Sequence, residues 1–117
     1  MTLSARVVGT PPTRRELVIA LVGWAEAVRR ERGLLEANVA EDVEAEATFE
    51  LRSEWDTEEA LEAHLASDVF GVLLGAAEVM GLSLRVRAAR AADEYGLDVI
   101  KKRRKARWAA AQRREQA

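Results

Sequence analysis

The chain contains no cysteine. That excludes a disulfide framework, a thiolate nucleophile and a zinc–thiolate centre. It contains a single histidine, His64, so a zinc site built on imidazoles also lacks its ligands. Aromatic residues are scarce (three Trp, two Phe and one Tyr), so each deserves a separate reading. The two prolines stand together as Pro11-Pro12. No apolar run approaches the ~20 residues that a membrane-crossing helix requires. Met1 to Thr10 has no apolar core behind a basic start, as a secretory leader would. No solenoid-type period recurs. Apolar residues nevertheless make up 49% of the chain, which is too many for a disordered protein and suits one folded domain of cytoplasmic type.

The net charge of -2 conceals an asymmetry. Residues 101–117 carry eight Lys and Arg against one acid, a balance of +7, while residues 1–100 carry ten against nineteen, a balance of -9. We therefore divide the chain into a folded domain over 1–92 and a basic C-terminal extension over 93–117.

Hydrophobic spacing gives the order of elements. Ser4 to Gly9 reads as a short strand stopped by the proline pair. Thr13 can cap a helix running to about Arg32, with Leu17, Leu21, Trp24 and Val28 on one face, Val18, Val22 and Ala25 beside them, and Gly33 as its stop after Arg29, Arg30 and Arg32. Leu35, Ala37 and Val39 alternate with Glu36, Asn38 and Ala40, a second strand. Glu41 to Glu46 is an acidic turn without Gly or Pro. Phe49, Leu51, Ser53 and Trp55 alternate with Thr48, Glu50, Arg52 and Glu54, the clearest period-two pattern in the chain. Two helices follow, over Thr57–Ala66 and Asp68–Met80. Asp56 or Thr57 is placed to cap the first and Ser67 or Asp68 the second. Gly81 ends the second helix. Leu82, Leu84, Val86 and Ala88 then alternate with Ser83, Arg85, Arg87 and Ala89. Ala91 to Gly96 is a polar connection, and Leu97 to Ala117 is a helix by composition that is expected to dock only in part.

The order is β-α-β-β-α-β, a ferredoxin-like α+β fold with a four-stranded antiparallel sheet. One sheet face holds the helices. The other carries Thr48, Glu50, Arg52, Ser83, Arg85 and Arg87, which either face water or pair across a second copy of the sheet.

The segment Glu54 to Phe70, EWDTEEALEAHLASDVF, carries the chemistry. A tryptophan ends a strand, and a helical run A-L-x-x-H-x-x-S-x-x-F follows at Ala60, Leu61, His64, Ser67 and Phe70. In this it resembles the antibiotic biosynthesis monooxygenase family. The resemblance implies a dimeric α+β barrel formed by two chains meeting sheet to sheet. It also implies a cofactor-independent monooxygenase, using dioxygen as co-substrate and neither metal nor flavin. The substrate would be an electron-rich quinol, anthrone or polyketide-like aromatic bound between sheet and helices. Such a site needs an apolar cavity, a polar group to hold a phenolate and shielding from water. Trp55 and His64 are the catalytic candidates, with Trp24, Phe49, Leu51, Phe70 and Leu73 as apolar walls. Trp55 is either core or a pocket wall whose indole N–H reaches a substrate oxygen. His64 is either a half-buried rim residue or the group that holds or deprotonates a phenol, since histidine is the side chain that titrates near neutrality. The polyketide-oxidising members carry an Asn where this chain has Leu51 and a Tyr where it has Leu61. The haem-degrading branch also resembles Ser67–Phe70, but its Asn, Trp and His fall on a first strand without Asn, on His64 and on Leu74, so haem degradation is rejected.

The alternative is a non-enzymatic dimer of the same fold that binds a small apolar ligand or a partner protein. The segment KKRRKARW is basic enough to meet the phosphates of nucleic acid or an anionic membrane, with Trp108 for stacking. The acidic body would repel a polyanion, which favours a solvated helix or one folded onto an acidic surface.

Overall fold

The structure, a computed structural model, describes residues 1–90 and 96–116. In chain order it contains β1 (Thr2–Val8), a 3-10 turn (Pro11–Thr13), α1 (Arg14–Val28), β2 (Leu34–Glu41), β3 (Thr48–Trp55), α2 (Glu58–Leu65), α3 (Asp68–Met80), β4 (Ser83–Ala89) and α4 (Leu97–Gln116). The four strands form one sheet in the order β2-β3-β1-β4, and every neighbouring pair is antiparallel. This is the ferredoxin-like arrangement expected from the sequence, with the second crossover built from two helices.

Alternation puts the core on one face. Leu3, Ala5 and Val7 of β1 and Phe49, Leu51, Ser53 and Trp55 of β3 are buried, and Val7 pairs with Phe49, Ala5 with Leu51 and Leu3 with Ser53. The stripe Leu17, Leu21, Trp24, Ala25 and Val28 of α1 meets them, joined by Leu61, Phe70, Leu73 and Ala77. Burial on this scale supplies the main favourable term of folding.

Several details depart from the sequence reading. β1 begins at Thr2, because Thr2 and Leu3 already pair with Glu54 and Ser53. α1 stops at Val28 instead of Arg32, and Thr13 makes no capping bond; its hydroxyl donates instead to the Thr10 carbonyl at 2.9 Å. Leu35 is 66% exposed, since a bulge between Leu34 and Glu36 reverses its parity and brings Leu34 to the core. Val86 and Ala88 keep their inward parity opposite Ala5 and Leu3 yet are exposed, because α1 and α2 lie towards β2 and β3. The expected connection at Ala91–Gly96, and with it the boundary at 92, falls largely outside the described residues.

Gly33 shapes the turn that follows α1. Its φ is +85°, and a Cβ there would lie 2.5 Å from the Cβ of Ala60 and 2.7 Å from Oδ1 of Asp56. Its carbonyl accepts the Asp56 N–H at 2.9 Å. The same absence of a side chain thus sets the backbone turn and lets α2 approach. Gly33→Ala is expected to destabilise the fold by about 2–3 kcal/mol, measured by denaturant unfolding.

The β2–β3 turn is held by charge. Arg14 donates twice to Glu41, both contacts at 2.6 Å, and Arg6 donates to Asp42 at 3.0 Å. The Glu44 N–H donates to Asp42 Oδ1 at 2.9 Å. With no glycine available, Ala47 takes the positive φ of 50° that closes the turn. Hydrogen bonding from Arg14 holds the Glu41 carboxyl below its ordinary pKa; the Glu44 amide, then Arg6, does the same for Asp42. A lowered folded pKa contributes stability that is present above the ordinary carboxylate range of about 4 and is lost as pH falls through the folded value. The melting temperature should therefore drop on acidification below about pH 4, and less steeply in a Glu41→Gln, Asp42→Asn variant.

α4 is exposed over nearly its whole length, with Ala109 and Ala110 half-buried. At about 3.6 residues per turn its Lys and Arg fall on every side, and Leu97 and Trp108 share a side with Lys101 and Arg104. It has no apolar stripe to dock by, and Leu97 and Trp108 are 67% and 65% exposed. Among the described residues no single helix is long and apolar enough to cross a membrane. α2 and α3 together reach that length, but they bend by 48° at their junction and bury Leu61, Phe70, Leu73 and Ala77 in the core.

Candidate functional site

Trp55 is the last residue of β3, and its backbone is held from both sides. It exchanges hydrogen bonds with Met1 at 2.8 and 3.2 Å and pairs with Leu34 of β2. Its indole N–H donates to Ser53 Oγ at 2.9 Å, two residues back on the same face. That donor is therefore engaged within the protein.

α2 starts where its acids favour a helix. Thr57 accepts the Ala60 N–H at 3.1 Å, and Glu58 and Glu59 occupy the first turn. His64 lies in the last turn of the helix. Ser67 then joins the two helices, its hydroxyl donating to the His64 carbonyl at 2.6 Å and accepting the Phe70 N–H at 3.2 Å. This one side chain fixes the exit of α2 and the entry of α3, and so relates the rings of His64 and Phe70.

His64 is 1% exposed. The sequence reading put it at the rim of an inward stripe made by Leu61 and Leu65. Instead Leu61 and His64 point inward, and Leu65 is 38% exposed. The imidazole stacks on Trp55 with ring centroids 4.7 Å apart and planes at 27°. Trp24 and Phe70 meet it edge-on, at 5.9 and 5.4 Å. Four of the candidate residues thus form one cluster. Phe49, Leu51 and Leu73 are buried in the same core.

Glu31 completes the cluster. Its Oε2 lies 2.7 Å from His64 Nδ1. Glu31 sits in the turn after α1, its N–H donating to the Val28 carbonyl at 2.9 Å, two residues before Gly33. An ionised carboxylate only accepts, so Nδ1 carries the proton and, in the neutral ring, Nε2 carries the lone pair. Nε2 is buried with no hydrogen-bond partner, and so is Trp24 Nε1. The sequence reading named the basic residues Arg29, Arg30 and Arg32 of this helix end and passed over Glu31. The available signal was a local conflict, namely an acid among Arg29, Arg30 and Arg32 at the end of a helix, where the dipole disfavours negative charge.

Comparison with known proteins places this cluster. The model of the antibiotic biosynthesis monooxygenase family matches residues 2–73, which contain Trp24, Glu31, Trp55, His64 and Phe70. The chain belongs to that family. A crystal structure of a candidate antibiotic biosynthesis monooxygenase from Deinococcus radiodurans is similar at 25% identity, covering 83% of this chain and 98% of its own, with a TM-score of 0.75. A Pseudomonas aeruginosa protein (22%, covering 77% and 93%, TM-score 0.62) and a Mycobacterium tuberculosis protein (19%, covering 80% and 97%, TM-score 0.60) share the fold. No curated protein matches the chain. α4 lies beyond the matched family segment.

Between sheet and helices, where a chamber was expected, the rings of Trp24, Trp55, His64 and Phe70 pack on one another. Cavities among the described residues lie elsewhere. One of about 550 Å³ is a groove on the open sheet face, lined by Ser4, Arg6, Glu50, Arg85, Val86 and Arg87. One of about 470 Å³ lies beside the β2–β3 turn. On the open face, Arg6 stands directly opposite Arg85, and Glu36, Asn38, Arg52 and Glu54 line a smaller recess of about 130 Å³. Among the described residues no three His, Asp or Glu side chains are grouped to hold a metal ion.

Chemically, the cluster pairs a carboxylate-oriented imidazole with an apolar aromatic surround. The carboxylate holds the ring in one tautomer and stabilises the cation formed when Nε2 takes a proton. The surrounding rings exclude water.

Proposed function

We propose that this chain is a cofactor-independent monooxygenase acting on a small electron-rich hydroxyaromatic, with His64 as its general base. The observation that carries the proposal is the contact of the partly exposed Glu31 carboxylate with the buried His64 ring, whose Nε2 has no partner. His64 removes the proton of a ring hydroxyl, and Glu31 balances the charge that results. A hydroquinone, which has no methylene, gains one oxygen atom at a ring carbon to give a hydroxyquinone and water; in an anthrone-like substrate the phenolate pushes electron density onto an activated ring methylene, which gives up two hydrogens and reduces dioxygen. One oxygen atom becomes a carbonyl on that carbon, and the other leaves as water with the two hydrogens. Trp55 forms the floor under the imidazole, and Trp24, Phe49, Leu51, Phe70 and Leu73 supply apolar walls. Leu51 and Leu61 stand where polyketide-oxidising relatives carry polar groups, so the polar hold on substrate falls to His64 and Trp24. A substrate enters by displacing a ring of the cluster, and Trp24, at 8% exposure, is the most accessible of them. The same proposal includes a cytoplasmic homodimer formed through the open sheet face, where Arg6, Arg85 and Arg87 of one copy meet Glu36, Glu50 and Glu54 of the other. Oxygen uptake with a panel of hydroquinones and anthrone-like phenols tests the activity. Uptake no greater than that of a His64→Ala variant refutes it.

The filled cluster favours a second reading, a non-enzymatic dimer of the family that binds an apolar ligand or a protein partner. In that reading Glu31 caps the buried His64 ring as a structural pair, and no phenol in the panel raises oxygen consumption.

A further inference from the structure

The two unsatisfied ring nitrogens define a chemical requirement that the protein does not meet from its own atoms. Trp24 Nε1 is a donor only, and it is buried without an acceptor. His64 Nε2, in the tautomer that Glu31 imposes, is an acceptor only, and it is buried without a donor. Buried polar groups are paired in the great majority of cases, so two orphans on neighbouring rings call for an explanation. The rings concerned lie 5.9 Å apart, edge to face. A carbonyl or ether oxygen would satisfy the indole and leave the imidazole bare. An ammonium would satisfy the imidazole and leave the indole bare. A hydroxyl does both, since its oxygen accepts from Trp24 and its proton is donated to His64.

We propose that Trp24 and His64 together form a hydroxyl-binding site, and that Glu31 is the positioning residue that gives the site its polarity. The proposal rests on the monooxygenase reading only for the fate of the hydroxyl; the binding specificity stands apart from it. Glu31 touches no ligand. It acts by keeping the proton on Nδ1, so that Nε2 meets the hydroxyl as an acceptor. When the proton moves, the O–H bond breaks, an Nε2–H bond forms, and the oxygen keeps its electron pair facing the Trp24 N–H. Trp24 is therefore a specificity residue as well as a wall. Its indole N–H prefers the oxygen more strongly as negative charge develops on it.

The experiment compares hydroquinone with its dimethyl ether as ligands of the full chain, by titration calorimetry and by ¹⁵N NMR of the His64 ring. In the unliganded protein the NMR signal is expected to show Nδ1–H and an unprotonated Nε2. Hydroquinone is expected to bind at least about tenfold more tightly than the ether and to shift Nε2, because the ether has no proton to donate and leaves the imidazole nitrogen unpaired. Trp24→Phe keeps a ring and removes the donor, and should reduce that preference while leaving the tautomer unchanged. Glu31→Gln can donate to Nδ1 through its amide, and should move the proton to Nε2 and abolish the preference. Glu31→Asp should restore the tautomer in part, which a purely structural role for the carboxylate would not require. Equal binding of phenol and ether, no binding of either, or an Nε2–H tautomer in the wild type overturns the proposal. Oxygen uptake is read in parallel. Uptake without a preference for the phenol defeats this inference and leaves the monooxygenase reading intact. A preference without uptake does the reverse.

Discussion

His64→Ala should lower kcat/KM for oxygen uptake by about 10²-fold or more, the range in which a positioned general base contributes. The imidazole is the group placed to take a proton inside the aromatic cluster, and no second histidine exists to replace it. Removal also leaves Glu31 without its buried partner and opens a ring-sized void beside Trp55. The variant should therefore be checked for folding by circular dichroism and thermal unfolding before its rate is interpreted. Added imidazole supplies a second check. A void bounded by Trp55, Trp24 and Phe70 can accept the free base, and recovery of part of the lost rate would separate missing chemistry from damaged structure. A folded variant with undiminished uptake would remove His64 from the mechanism.

Trp55→Ala should destabilise the protein by about 3–5 kcal/mol, the usual loss when a fully buried large aromatic is truncated. Three effects combine. The cavity is deep, since Trp55 is 1% exposed. The stack with His64 is lost, which alone is worth about 0.5–1.5 kcal/mol. Ser53 Oγ loses its buried partner, at about 1–3 kcal/mol. Domains of this size have about 5–15 kcal/mol in total, so the variant should lie near the edge of folding. Trp55→Phe refills most of the cavity and isolates the Ser53 contribution, and it should cost less than half as much. Urea unfolding of the three proteins under identical conditions checks the order.

The parts of the fold that the sequence made legible are those where one periodicity dominates. β3 alternates from Phe49 to Trp55, and its inward face at Phe49, Leu51, Ser53 and Trp55 emerges buried as read, whereas Thr48, read onto the open face, is buried where its hydroxyl donates to the Glu46 carbonyl. α3 has the bounds expected from a Ser67 cap and a Gly81 stop, and Gly81 takes the left-handed φ of 64°. The errors fall where packing decides instead. Leu35 looked inward by parity, but the bulge beside it changed the count, and a bulge leaves little trace in composition. α2 has eight residues, too few for its apolar spacing to fix its phase, so whether Leu65 or His64 turned inward depended on the neighbours it met. The family resemblance correctly brought Trp55, His64 and Phe70 to one place. Glu31 escaped because it lies 33 positions from its partner, and nothing local links an acid after one helix to a histidine at the end of another.

The uneven distribution of charge has a practical consequence at the bench. An isoelectric point near 5.5 would suggest a protein that passes through a cation exchanger at neutral pH. α4 presents Lys and Arg on all its sides, so the intact molecule should be retained by resins of either sign. Loss of the final helix to a protease would then show at once, as a species that elutes early from the sulfonate column and late from the quaternary amine.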